Sequence, residues 1–419
     1  MSVNRRHFLA GTLGVAAAGA AASCADQGDA AGSAQQEPAP DLATALVPFD
    51  GAHQAGISTP QQASLNLIGF NFKDGVDKPA IARLMRLWTE DARALTAGEN
   101  PLASLEPEMT EHPANLTITV GLGEKFFDIA APAQKPAWLH EIPTLSRDRL
   151  GPEWGQTDLV LQICSDDPLM CAWAMRHMVR AGVDYVSIAW VQQGFMNNPA
   201  VHREGTTPRN LFGQIDGTVN PHTDEEYDEQ VWADGPAGFE GGTSMVVRRI
   251  AMNLDTWEML DRTSREEAVG RRLDNGAPLS GGEEFTPVDL EARDEYGLPR
   301  VDRNSHVARS MAPEGHPEQK FKRRPYNYNL PPEPGQDQLS NAGLVFIAFQ
   351  ENPDTQFTPV LERLDEADRL NEWITISALR CTGSRRVHSW KMDRWVIGPS
   401  HYLRSGSGMI FAMFAVLSF

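Results

Sequence analysis

The chain has 419 residues, 56 acidic against 37 basic, and a formal net charge of −19. That balance excludes nucleic acid and an anionic membrane surface as partners. Its four cysteines include no CxxC pair, which excludes a zinc-ribbon scaffold or a disulfide framework.

Asn4-Arg5-Arg6-His7-Phe8-Leu9 sets twin arginines before an apolar run from Phe8 to Ala22. The run is shorter than the about 20 apolar residues that a membrane-spanning helix needs. It reads as a cleavable twin-arginine export signal over residues 1–24, with the mature protein in the periplasm, at the cell surface or outside the cell. This route carries folded proteins, often with a cofactor already loaded. Ala21-Ala22-Ser23-Cys24 has the small residues of a lipoprotein site but no leucine three positions before the cysteine. Ordinary cleavage is therefore expected ahead of membrane association through a lipidated Cys24. Residues 25–55 are polar and rich in Ala, Pro and Gln, and read as a flexible linker.

The first folded half, residues 56–215, alternates strand and helix signals. Ala63 to Phe72 has the period of a half-buried strand, and Asp77 caps a helix whose Ile81, Leu84 and Trp88 share a face. Leu116–Val120 and Asp158–Ile163 are strands. Asp167-Pro168 opens a second helix, ended by Gly182, with Met170, Ala174, His177 and Met178 on one face. Tyr185–Val191 closes a βαββαβ unit, the ferredoxin-like order. Cys164 and Cys171 read as buried free thiols.

Residues 216–376 repeat the order less tidily. Thr243–Met252 is a strand and Asp255–Val269 a helix. His306–Met311, Lys320–Asn329 and Leu344–Gln350 read as strands, and Phe357–Trp373 as a helix. A Gly-, Pro- and charge-rich insertion, 270–303, interrupts the unit. The fold class is α+β, two ferredoxin-like domains with antiparallel sheets. At their junction, Gly213-Gln214-Ile215-Asp216-Gly217-Thr218 sets one carboxylate between glycines. Gly and Asp are ordinary turn residues. A carboxylate in a cleft between domains is also a proton-transfer candidate, so turn and site both stand.

Three segments in order resemble the dye-decolourising peroxidases, haem proteins built from two ferredoxin-like domains. Gly213-Gln214-Ile215-Asp216-Gly217-Thr218 matches that family's GxxDGT signature. Asn304-Ser305-His306-Val307 matches the segment carrying its proximal histidine, and Phe321-Lys322-Arg323-Arg324-Pro325-Tyr326 the strand carrying its distal arginine. The resemblance implies one haem b per chain, in the second domain near the junction. It implies His306 as axial ligand of the iron, with Gly217, Thr218, Arg309 and Arg323 as cofactor contacts. Asp216 and Arg323 would be the catalytic pair, with hydrogen peroxide as oxidant and a dye or other bulky organic molecule as one-electron donor. Strand alternation sends Arg323 and Arg324 to opposite faces, so one of them is structural. His316 is the competing histidine. The alternative within the resemblance is an extracytoplasmic haem- or iron-handling, deferrochelatase-like protein with iron-uptake partners.

Three departures stand out. The family often has arginine two residues after the histidine, where this chain has Ala308 and then Arg309, which on a strand would face away. No residue after the Phe349-Gln350 segment is securely assigned as the histidine's carboxylate partner. From about 377 to 419 the chain is unlike the family, as a reading-frame change would produce, so that the second domain is expected to lack its native last strand.

Overall fold

A computed structural model describes residues 41–201, 206–233, 241–332, 334–335 and 337–378, all within one unit beginning at Asp41. The expected export signal, Cys24, the expected linker up to residue 40, Cys381 and the tail from 379 onward lie outside the described residues. The first half forms β1 (Ser64–Phe72), α1 (Lys78–Thr96), β2 (Thr117–Leu122), α2 (Glu124–Ala130), β3 (Leu159–Ser165), α3 (Pro168–Gly182) and β4 (Val186–Phe195). The short helix α4 (Asp224–Gln230) follows. The second half forms β5 (Ser244–Met252), α5 (Leu254–Trp257), α6 (Arg262–Val269), α7 (His306–Ser310), β6 (Lys322–Arg323), β7 (Tyr326–Leu330), β8 (Asn341–Gln350), α8 (Phe357–Ala367) and β9 (Ile374–Ala378).

These strands make one sheet in the order β2-β3-β1-β4-β7-β8-β5-β9, with β6 also pairing β8. The order β2-β3-β1-β4 is repeated as β7-β8-β5-β9, and every strand pair is antiparallel. This is the ferredoxin-like arrangement twice over. The two copies join through a single residue pair between β4 and β7, Phe195 with Asn327.

Local chemistry explains the helices. The Asp77 carboxylate accepts from the Ala80 N–H at 2.9 Å and that of Asp167 from the Leu169 N–H at 3.0 Å, each ahead of a proline that gives up no needed donor. α1 and α3 bury Ile81, Leu84, Trp88, Met170, Ala174 and Met178 in one core against the first half of the sheet. Trp88 Nε1 donates to the Met178 carbonyl at 2.9 Å, locking the two helices together. Cys164 and Cys171 are free and buried.

Several expectations need correction. Residues 41–55 are not a loose tether: the Gln54 amide donates to the Val120 carbonyl at 3.1 Å, and the His53 ring stacks on Trp232 at 3.7 Å. Composition alone reads such a polar stretch as solvated, but its amide and imidazole groups have buried partners. The single helix 255–269 is two, because Asp261 accepts from the Ser264 N–H at 3.0 Å and starts a new one. The segment 306–311 is not a strand but the short helix α7, capped by Ser305. A last strand is present at least to Ala378, where β9 pairs with β5.

A segment of the first half clasps the second. The Arg149 N–H donates to the Ile376 carbonyl of β9 at 2.8 Å, the Ser146 N–H to Asp365 at 3.1 Å, and Asp148 pairs with Arg248 in a buried contact. A second tie is Arg324, only 1% exposed. Its guanidinium donates to the Thr59 carbonyl at 2.6 Å, the Pro60 carbonyl at 3.2 Å and the Gln62 side chain. Arg324→Ala removes all three bonds and leaves the Gln62 oxygen unpaired in the interior, at a cost of about 3 kcal/mol. Urea denaturation should show that loss; a midpoint within error of the parent would refute the structural role.

Candidate active site

The loop around Asp216 is built from two turns. The Asn210 side chain accepts from the Phe212 N–H at 3.0 Å and the Gln214 N–H at 3.3 Å, closing the first turn. The Asn220 N–H donates to the Gly217 carbonyl at 3.0 Å, closing the second. Gly213 and Gly217 have φ of +81° and +132°, values that disfavour a side chain. Asp216 sits between these turns, its N–H donating to the Pro208 carbonyl at 2.9 Å. The loop docks at the seam of the sheet, where Asn327 accepts from the Leu211 N–H at 3.1 Å and donates to the Arg209 carbonyl at 3.3 Å.

Asp216 is 9% exposed and meets Arg323 of β6, with Oδ1 at 2.8 Å from the guanidinium. Among the described residues its Oδ2 receives only a long contact from the Asn210 amide, 3.3 Å. A nearly buried carboxylate beside an arginine, with one oxygen weakly held, can take up and return a proton. The neighbouring cations go elsewhere: Arg324 to the first half of the chain, and the Lys322 amine to the Tyr227 ring, 5.8 Å away. Burial, with Arg324 and Arg323 nearby, pushes the Lys322 amine down to about 7.

His306 opens α7, and its Nδ1 lies 2.7 Å from Asp368 Oδ2. Asp368 follows α8 and is buried, while the imidazole side chain is 32% exposed. With Nδ1 held by a carboxylate, Nε2 is the nitrogen left to bind a metal, and the partner fixes the ring's orientation and raises its basicity. Burial pushes the His306 ring down most strongly, but the charge and hydrogen bond of Asp368 outweigh it and the net shift is upward. The same ring feels the charges of Arg323 and Asp216, so the three predicted residues share one electrostatic neighbourhood. His316, by contrast, is exposed and paired with Glu318 at 2.9 Å.

Arg309 lies one helical turn from His306, not on the opposite side of a strand. Its guanidinium donates to the Arg363 carbonyl at 3.1 Å and pairs with Glu366 of α8. Thr218 Oγ1 donates to Glu284 of the insertion at 3.2 Å. The insertion therefore walls the loop. Arg209 reinforces this, donating to the carbonyls of Gly213 at 2.7 Å, Leu273 at 2.6 Å and Asp274 at 2.8 Å.

Sequence reasoning missed Asp368, Asn220, Glu284 and Arg209. Asp368 carried a signal as a helix cap, and it does accept from the Leu370 N–H at 2.9 Å. Its separation of 62 positions from His306 hid the pairing.

Family models for the Dyp-type peroxidase N-terminal and C-terminal regions match residues 54–196 and 207–380. The chain belongs to the dye-decolourising peroxidase family. It is 37% identical to a dye-decolorizing peroxidase of Thermobifida fusca over 88% of this chain and 91% of the relative. It is 31% identical to a deferrochelatase of Escherichia coli (strain K12), over 80% and 82%. A crystal structure of a DyP-type peroxidase from Cellulomonas bogoriensis superposes with a TM-score of 0.77 at 42% identity, covering 82% of this chain and 96% of that one. By family the protein is a haem peroxidase that uses hydrogen peroxide.

The His306–Asp368 pair gives a signed pH dependence. Because the folded-state pKa of His306 is raised, the charged pair stabilises the haem-free protein below the ring's unfolded value, about 6.5. That stabilisation disappears as pH rises through the folded value. Asp368→Asn keeps an oxygen for the Leu370 cap but removes the charge. Urea denaturation of haem-free parent and Asp368→Asn should show a stability gap near pH 5.5 that narrows towards pH 9. A gap independent of pH would rule out the charged pair.

Proposed function

We propose that the chain is an exported peroxidase that holds one haem b on His306 and reduces hydrogen peroxide with Asp216 and Arg323, at the expense of a dye or other bulky organic donor. The observation that carries this is the Asp216–Arg323 pair at 2.8 Å in the same electrostatic neighbourhood as an imidazole backed by a buried carboxylate. The donor set suits haem: a neutral imidazole with a free Nε2, oriented from behind by Asp368. Gly217 and the Thr218 hydroxyl, next to Asp216 in the loop, would be the main-chain and side-chain contacts of the cofactor. Arg309 stands on the histidine's own helix, paired with the exposed Glu366, and would be the cation to hold a propionate there.

When bound, haem supplies a redox centre able to store two oxidising equivalents. The protein's part is to move protons and stabilise charge. Asp216 accepts the proton of one peroxide oxygen and returns it to the other, which leaves as water. Arg323, protonated at any working pH, stabilises negative charge as the O–O bond opens. Two one-electron donors and two protons complete the balance, with two waters formed per peroxide. For donors too large to enter, Trp257 and Trp373 form an edge-to-face pair at 5.3 Å, packed in the same cluster as Val307 of α7.

Asp216→Asn should retain the Soret band but slow the peroxide-driven spectral change by about 10²–10⁴-fold. His306→Ala should lose or weaken the band itself. Stopped-flow spectra of Asp216→Asn that match the parent would remove Asp216 from its role. The deferrochelatase relatives support a second reading, release of iron from haem in an iron-uptake system. Incubating haem-loaded protein with a ferrous chelator separates the two: iron capture with the tetrapyrrole left intact favours release, and fast dye turnover favours peroxidase.

A further inference from the structure

Arg323 occupies an unusual place in the sheet. β6 is only two residues long and pairs with β8 as Lys322 with Phe349 and Arg323 with Ala348. The Arg324 N–H donates to the Ile347 carbonyl at 2.8 Å, so the next residue faces β8 through its hydrogen-bonding edge. In an antiparallel ladder the bonding pairs alternate, and the main-chain groups of Arg323 therefore point away from β8. Asn220 meets both of them. Its Oδ1 accepts from the Arg323 N–H at 2.8 Å, and its Nδ2 donates to the Arg323 carbonyl at 2.9 Å. One side chain thus imitates the neighbouring strand that this edge lacks.

Lys322, Arg323 and Arg324 are three cations in a row, so charge alone does not specify which of them faces Asp216. The ladder does specify it, since Lys322 and Arg323 lie on β8 in the same register as Tyr326–Leu330 of β7, and what β8 leaves unheld is the outer edge of Arg323. Asn220 belongs to the Asp216 loop, joined to it by the turn that Gly217 closes, and grips one residue of β6 at two points. We propose that Asn220 is a positioning residue that holds the outer main-chain edge of Arg323 and so sets its guanidinium against Asp216. This rests on the reading of Arg323 and Asp216 as the peroxide pair.

Asn220→Asp gives the most specific test. Above the carboxyl's titration range the new side chain has only acceptors, and one oxygen opposes the Arg323 carbonyl. When protonated it has the carboxamide's shape, with one donor and one acceptor. The charges around position 220 are Arg323 on β6, Asp216 and His222 on its own loop, and Glu284 and Arg271 from the insertion. All are shared with the parent, so parent and Asn220→Ala titrations run in parallel divide out their effect.

The probe is fluoride binding to the haem-loaded protein, which reports a correctly placed arginine donor without turnover. Asn220→Ala should bind fluoride at least about tenfold more weakly than the parent. Asn220→Asp should match Asn220→Ala near neutral pH and recover towards the parent in acid. In the haem-free protein, the Arg323 amide should be protected from hydrogen exchange in the parent and exposed in Asn220→Ala. Parent-like fluoride affinity in Asn220→Ala, no acid recovery in Asn220→Asp, or an unchanged Arg323 exchange rate would each overturn the assignment. Arg323→Leu separates the two levels. If it binds fluoride like the parent, the peroxide-pair reading fails, and the exchange measurement still decides whether Asn220 grips β6.

Discussion

The contact on which the site depends is the ion pair between Asp216 and Arg323, which joins positions 107 apart in the chain at 2.8 Å. Such a pair is a poor source of stability. Removing both charges from water costs several kcal/mol, and their attraction repays it only with good geometry and further hydrogen bonds. The surrounding structure supplies those conditions. Asn210 closes the turn before Asp216 and contacts its second oxygen, Asn220 takes both main-chain groups of Arg323, and Asn327 ties the loop to the seam. Three carboxamides therefore serve one carboxylate–guanidinium pair. They are neutral, donate and accept at once, and add no charge that would compete for either partner.

The two copies of the fold have diverged in what they do. The predicted site residues all lie on the second copy or on the connection leading to it. In the first copy the buried histidine, His177, is bound to Asp91 at 3.0 Å among core residues of α1 and α3. The first copy instead acts as scaffold. It accepts Arg324 through Thr59, Pro60 and Gln62, and sends the 146–149 segment across to α8 and β9. α8 leads directly into Asp368, so that grip bears on the element that orients the imidazole.

How much of this was legible depended on whether each signal was local. Asp77 and Asp167 with their prolines carry their meaning within four residues, and the first βαββαβ unit was readable almost to its boundaries. α7 was misread because its five residues are too few to show a helical period. The split between α5 and α6 was hidden because Asp261, an interior polar residue by pattern, acts as a cap. Asp216, Arg323 and His306 were singled out through motif order, not local physics. Asp368, Glu284 and Asn220 had no motif to mark them, and their partners lie 62, 66 and 103 positions away.

The turns of the Asp216 segment are also what suits it to the proposed site. Positive φ at Gly213 and Gly217 reverses the chain on either side of the acid. Those reversals leave Asp216 at the tip of a connection whose flanks are anchored to the seam, to β6 and to the insertion. A carboxylate on a regular strand would alternate into a core or into solvent; at the crossing of two tight turns it can be nearly buried and still face a cation from another part of the sheet. The cost is conformational, since glycine loses more backbone freedom on folding than other residues. It falls where the anchors are densest: Arg209 on three carbonyls, Glu284 on Thr218 and Asn220 on Arg323. The loop's rigidity is therefore imposed from outside by side chains, and the placement of the Asp216 carboxylate depends on residues that do not contact it.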